Sequence, residues 1–316
     1  MLLITVAGLT MVSTAARPEQ KPLPRVGVLL PESSSLEEQL AEQLRARGYI
    51  DGKTVNMDWR RYSSWGAKMR TISDDLVRSG PDLIVVFGTP PARAVVEATK
   101  TIPVVFVAGE PVAMGLVSSL SRPGGNATGA SGNYVEAAAK LLDFVTQLVP
   151  GAHRVVAVRN PSNPLSLGIV EQVQRLAPGL RVRVIVVDAR NADEVVSGLR
   201  PIGKRRADAI LIPPDFVFQM ETERVLHAVR ETALPAVYLE HAFAEAGGLV
   251  SYGPDPKEFV QIVAALVEKI LKGANPAELP VEQVSNLKLS VNLKTAKEMK
   301  ISIPQSILMR AEEVTH

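Results

Sequence analysis

The chain has 316 residues, enough for two domains of ordinary size, each with its own core. A hydrophobic share of 46% against 22% charged residues describes a soluble globular protein, and a net charge of +2 with both signs interspersed gives no electrostatic case for nucleic acid or an anionic membrane. There is no cysteine, which excludes disulfides, thiol catalysis, thiolate metal sites and a lipid-modified N-terminal cysteine.

Residues 1–16, MLLITVAGLTMVSTAA, are apolar, too short to span a bilayer, and end in small residues that place Thr14 and Ala16 in an A-x-A-like cleavage site. The segment reads as a secretory leader, and RPEQKPLP (17–24) as a Pro-rich linker. Exported without a lipid anchor, such a protein needs an outer membrane to retain it, so the expected compartment is a periplasm.

From Arg25 onward the chain alternates apolar runs with amphipathic stretches. Val26–Leu30 is followed by a helix, Leu36–Arg47, with Ser33, Ser34 and Ser35 before it and Gly48 ending it. A strand at Val55–Arg60, a helix at Lys68–Ser79, the strand Leu83–Phe87, a helix at Pro91–Lys100 and the strand Val104–Val107 complete a first unit. Gly124-Gly125-Asn126 is a turn, and a long helix, Glu136–Leu148, opens a second unit. That unit repeats the pattern with Val155–Val158, Val182–Val187, Ala209–Ile212 and Pro235–Tyr238. Gly247–Tyr252 predicts a further strand, Pro256–Lys272 a helix, Lys288–Val291 a final strand and Leu293–Met299 a last helix.

Strands apolar on both faces belong to parallel sheets covered by helices, so the fold class is α/β: two doubly wound parallel-sheet lobes. The expected division is a leader and linker (1–24), an N-terminal lobe of 25–129 plus 248–286, and a C-terminal lobe of 130–247 plus 287–316. Several crossings between lobes make a hinge, expected near Ala130, Gly247 and Leu287.

Signals for catalysis are thin. His153, His227, His241 and His316 lie far apart without metal-ligand spacing, so neither a metal nor a catalytic residue is assigned. Gly48–Thr54 (GYIDGKT) falls one residue short of a phosphate loop and runs from helix to strand, the reverse of the order that aims amides at phosphate. No G-x-G-x-x-G opens a helix after a strand, and no G-x-S-x-G elbow exists; no cofactor is expected.

What remains is a set of small polar residues just after the apolar strands, where ligands bind in open α/β sheets. Ser33, Ser34 and Ser35 with Gly88 and Thr89 suit a carboxylate; Glu110 or Asp215 answers an ammonium; Asn160 and Asn163 lie on the second unit's edge. In a chain only 4% aromatic, Tyr62 and Trp65 offer a stacking wall, and Tyr238 and Tyr252 end strands near the hinge. The expected ligand is a small zwitterion, an apolar or aromatic amino acid.

Val105–Gly129 (VFVAGEPVAMGLVSSLSRPGGNATG), Leu148–Pro164, Ala246–Asp255 (AGGLVSYGPD) and Leu279–Val314 together resemble the tryptophan/tyrosine-type ABC-transporter substrate-binding proteins. The resemblance implies a monomeric two-lobed periplasmic binding protein of the first structural type. Such a protein is not an enzyme; it delivers a solute to an ABC permease and, through it, to an ATPase. Glu110 stands where that family often has Asp, Asn286-Leu287 lacks its usual aromatic, and Lys300 stands where glycine is common. The competing reading is a two-domain α/β enzyme such as a glycosyltransferase-like transferase, whose acidic metal motif is missing. A regulator with the same sensor would need a DNA-reading headpiece before the first strand.

Overall fold

A computed structural model describes residues 22–32, 35–62, 67–203 and 206–316. The leader, Ser33, Ser34 and Trp65 lie outside the described residues.

The first lobe contains β1 (Arg25–Pro31), α1 (Leu36–Ala46), β2 (Asn56–Tyr62), α2 (Ala67–Arg78), β3 (Leu83–Phe87), α3 (Thr89–Ala98), β4 (Val104–Val107) and β5 (Ala127–Gly132). The chain then crosses to α4 (Tyr134–Leu148), β6 (Arg154–Arg159), α5 (Pro164–Leu176), β7 (Arg183–Asp188), α6 (Ala192–Leu199) and β8 (Ala209–Ile212). It continues through α7 (Phe216–Met220), α8 (Thr222–Thr232), β9 (Ala236–Tyr238), α9 (His241–Glu245) and β10 (Val250–Pro254). It returns for α10 (Pro256–Leu271) and β11 (Glu282–Val284), then ends on the second lobe with β12 (Leu287–Asn292), α11 (Leu293–Glu298), α12 (Gln305–Leu308) and β13 (Glu313–Thr315).

The first sheet has the order β11-β5-β4-β3-β1-β2 and the second β13-β12-β10-β9-β8-β6-β7. Both contain the doubly wound order in which the strand direction of progress reverses beside the first strand, β1/β3 in one lobe and β6/β8 in the other. Pairing is parallel throughout except where β10 meets β12 antiparallel. The apolar strands β3 (LIVVF) and β8 (AILI) are buried along their whole length, because helices cover both sheet faces. Four core clusters correspond to the four sheet faces.

The lobe boundaries differ from the sequence expectation by three residues at the first crossing, where β5 keeps 130–132 in the first sheet, and more widely at the second. β10 pairs with β9 and β12, so 248–254 belongs to the second sheet and the crossing lies at Asp255, not Gly247. Gly247 misleads because it is a turn glycine with φ +99°, ending α9. The other crossings fall at Asn133, between β5 and α4, and at Ser285–Asn286, between β11 and β12. The three are packed together: Asp255 N donates to Asn286 O (3.0 Å), and Lys288 Nζ lies 3.0 Å from Asp255 Oδ2. A Cβ on Gly132 would meet both Tyr134 and Pro254.

β5 was hidden from a reading by hydrophobicity because its sequence is ATGASG, small and weakly apolar. Small residues are what its place demands. Gly129 faces Phe106 in register on β4, and a Cβ there would sit 2.0 Å from Phe106 O. Backbone has no flexible end to yield, so Gly129→Ala must move a central strand. We expect a loss of roughly 2–4 kcal/mol in urea unfolding, against about 0.5 kcal/mol or less for Gly125→Ala, where nothing lies within 4 Å. Equal stability of the two variants contradicts this packing.

Candidate functional site

The carboxyl ends of β1–β4 and of β6, β8 and β9 face each other across the seam between lobes, and the lobes touch there. Tyr62, at the end of β2, meets Phe216 of the second lobe with ring centroids 5.1 Å apart. Gly88 follows β3 with φ +103°, and a Cβ on it would press on the Tyr62 hydroxyl at 3.0 Å and on Phe216 at 3.4 Å. A Cβ on Gly109, after β4, would strike Leu165 of α5 at 2.6 Å. Glycine at both positions lets the second lobe approach this closely.

On the second lobe Asp215 is the focus. It is buried, caps α7 by accepting from Val217 N (2.9 Å) through Oδ1, and receives both amide side chains of the β6–α5 loop on Oδ2. Asn160 Nδ2 donates at 2.9 Å and Asn163 Nδ2 at 2.8 Å. The asparagines are held in turn: Asn160 N donates to Ser166 Oγ, and the Oδ1 atoms of Asn160 and Asn163 accept from Ser162 N and Leu165 N. Burial pushes the Asp215 carboxyl above its ordinary range, more strongly than these donors pull it down.

A second raised carboxyl stands on the same lobe. Glu240, two residues beyond β9, is pushed up to about 7, first by burial and then by the charge of Glu245, against the hydrogen bonds of Gln219 and Tyr134. The Tyr134 hydroxyl donates to Glu240 Oε2 at 3.5 Å, and burial first, then the charge and hydrogen bond of Glu240, raise the phenol as well. Gln219 N donates to Asp215 O at 2.9 Å, so one residue connects the two acids. Neither forms an ion pair among the described residues.

The sequence-derived candidates divide accordingly. Tyr62, Gly88, Asn160, Asn163 and Asp215 meet at the seam. Thr89 is beside it, but its hydroxyl accepts from Gly109 N (2.9 Å) and ties the β3 and β4 loops together. Ser35 is exposed, with its hydroxyl accepting from Gln39 Nε2 (2.8 Å). Glu110 is half-buried with φ +47°, and no side-chain partner is found among the described residues.

Two candidates are corrected. Tyr238 points into the core, stacked on Phe243 at 4.9 Å and closed in by Gly248. Tyr252 is buried against Phe144, edge to face at 5.1 Å. Both are pleat-inward residues of central strands, for which core packing wins. Phe216, Gln219, Tyr134, Leu165 and Glu240 were missed. Glu240 follows the same strand-then-polar rule that pointed to Asp215, and Phe216 is simply the next residue after Asp215.

Among the described residues no cluster of potential metal ligands occurs, and no helix is long and apolar enough to cross a membrane. Grooves of about 560 and 580 Å³ lie outside the seam, one between α4 and residues 299–304 and one between α1 and β2. The hydrogen bonds converging on Asp215 single out the seam instead.

A sequence model described as ABC transporter substrate binding protein matches residues 31–315. The "Tyrosine-binding protein" of Clostridioides difficile (strain R20291) is 26% identical over 271 residues, covering 85% of this chain and 77% of that protein. A crystal structure of a conserved domain protein from Vibrio cholerae superposes with a TM-score of 0.86 at 27% identity, over 93% of this chain and all of that one. The ABC domain from Streptococcus pneumonia in complex with L-Trp gives 0.84 at 28% identity, over the same shares. The matching family and the Clostridioides difficile relative are binding proteins by description, and the transferase reading finds no counterpart among the proteins named here.

The raised acids make a measurable demand on stability. Glu240 binds a proton more tightly folded than unfolded, so the native state gains protons between about pH 4.5 and 7 and loses stability as pH rises through that window. At about 1.4 kcal/mol per unit the upper limit is about 3 kcal/mol. Glu240→Gln is expected to flatten this fall in ligand-free protein and to be the more stable form above pH 7. A wild-type stability that rises from pH 5 to pH 7.5 as steeply as the variant's contradicts the raised acid.

Proposed function

We propose that this chain, which belongs to the ABC transporter substrate binding protein family, captures an amino acid with an aromatic or apolar side chain between its lobes and presents it to an ABC importer. The observation that carries the reading is Asp215, a buried carboxylate oriented by two asparagines at the seam, one residue from the phenyl ring that meets Tyr62. An ammonium satisfies such a carboxylate; Tyr62 and Phe216 offer ring faces to a flat side chain. Likeness to a tyrosine-binding protein and to a structure holding L-Trp favours the same class.

In this reading the solute enters with the lobes apart, and rotation about the crossings at Asn133, Asp255 and Ser285–Asn286 encloses it. The enclosed form gives the permease one surface spanning both lobes, and the binding protein acts as a monomer. The leader at 1–16 and the lack of cysteine favour a soluble periplasmic protein.

Titration calorimetry with L-Tyr, L-Trp and D-glucose tests the ligand class. A micromolar Kd corresponds to about −8 kcal/mol, within reach of two charge-assisted contacts and one buried ring. Asp215→Ala is expected to weaken amino-acid binding roughly 10–100-fold through loss of a charged hydrogen-bond partner. Binding of glucose alone, or equal affinity in the variant, defeats the assignment. Small-angle scattering should show a smaller radius with saturating ligand; an unchanged radius counts against closure.

A further inference from the structure

Thr89 stands at the seam with its hydroxyl turned back into its own lobe. The last main-chain bond between the ends of β3 and β4 runs from Gly88 N to Val107 O at 2.8 Å. Beyond it the strands part, because the chain turns into α3 at residue 89. The Thr89 side chain carries the pairing one step further. Its Oγ1 accepts from Gly109 N at 2.9 Å and donates to Gly109 O at 3.4 Å. A hydroxyl has one hydrogen, so none is left for a solute carboxylate.

The hydroxyl thereby joins the two glycines on which the second lobe rests. Gly88 meets Phe216 of α7 and Gly109 meets Leu165 of α5, so closely that a Cβ would stand 3.4 Å and 2.6 Å from those side chains. α7 is suited to make such a contact. Phe218 is fully buried in the second lobe's core, whereas Phe216 and Met220, at i and i+4 on the opposite side of the turn, pack against the first lobe's cluster around Tyr62 and Leu76. Leu165 is held in place at the start of α5, where its N–H donates to Asn163 Oδ1 at 3.0 Å. Gly109 is buried with Leu165 against it, so its N–H needs a partner from the protein, and Thr89 is that partner.

Resting on the reading of this chain as a protein that encloses its solute, we infer that Thr89 is a positioning residue for closure: its hydroxyl fixes the loops after β3 and β4 as one platform that receives Phe216 and Leu165. It acts on the solute through the lobes and not by contact. With the lobes apart, water serves the Gly109 N–H. Closure brings Leu165 against Gly109, and from then on the Thr89 hydroxyl alone satisfies the group. A buried donor left without a partner is more costly than one that water can reach. Loss of the hydroxyl therefore weakens the closed form more than the open one, and the solute leaves faster.

The experiment is a mutant cycle on the full-length protein with L-tyrosine and L-tryptophan as probes, read by calorimetry and stopped-flow dissociation. Thr89→Val keeps the shape and removes the hydroxyl. It is expected to weaken both probes by the same factor, roughly tenfold, carried by faster dissociation. Thr89→Ser keeps the hydroxyl and should recover most of that loss. Leu165→Ala removes the side chain that rests on Gly109. In that background Thr89→Val should weaken binding about threefold or less, because water then reaches Gly109 in the closed form as well. Should Thr89→Val not fold, Thr89→Ala takes its place in the same cycle. A full tenfold loss in both backgrounds, as direct contact with the solute would give, overturns the role of Thr89. So does wild-type affinity in Thr89→Val, or a Thr89→Ser as weak as Thr89→Val. These three results leave amino-acid capture standing. Failure of wild type to bind either probe overturns both.

Discussion

The molecule depends on an exchange of helices between its lobes. α4 leaves the first sheet through β5 yet packs on the second lobe beside α5; α10 leaves the second sheet through β10 yet packs on the first beside α1. α10 buries Phe259, Val260, Ile262, Val263, Ala264, Leu266, Val267 and Ile270 there, so neither lobe completes its core without chain delivered from the other. The apolar face of α10 cannot be left in water, and this fixes the crossings as permanent covalent connections at the base of the cleft. Bonds among those crossings, Asp255 N to Asn286 O and the Lys288–Asp255 pair, tie them together at one place.

That geometry explains why polar chemistry concentrates where it does. Parallel strands buried on both faces have no room for charge along their length, so carboxyl and amide side chains gather as each strand ends and the chain turns into a helix. Asp215 and Glu240 occupy such positions, as do Asn160 and Asn163. The interior cost of two carboxyl groups is reduced by amide and phenol donors but not removed, as both raised acids attest. The N-terminal lobe supplies glycines at Gly88 and Gly109 and the Tyr62 ring, that is, close approach and apolar surface rather than charge.

Much of the fold was legible in sequence and little of the site, for one physical reason. Two βα alternations with runs such as LIVVF and AILI announce covered parallel sheets, and the helix positions follow within a few residues. β5 was invisible because its small residues are selected by contact with Phe106, a long-range constraint that hydrophobic periodicity does not encode. The family motifs are legible too, but they are scaffold. Thr128 of the glycine-rich segment donates to Leu279 O, Asn292 caps α11 at Thr295 N, and Asp255 caps α10 at Lys257 N. Glu110 and Lys300 have φ of +47° and +56°, backbone that glycine adopts more readily. Tyr238 and Tyr252 looked like site residues because they end strands; pleat parity, set by the sheet as a whole, turned them inward.

The two kinds of residue respond to different demands, and this bears on how a binding protein of this type changes its ligand. Substitutions at Gly129 or at the caps Asn292 and Asp255 disturb packing whatever solute is bound, since their partners lie in the same lobe or at the hinge. Phe216, Leu165 and Gln219 stand on α7 and α5 at the seam, and their size decides how near the lobes come and what space remains between Tyr62 and Asp215. α7 is a single helical turn, held by Asp215 at its start and by the bond from Gln219 to Glu240 near its end. Residues on so short an element can be exchanged with little effect on either core. The covalent crossings and both cores can therefore stay fixed while the residues of α7 at the seam vary.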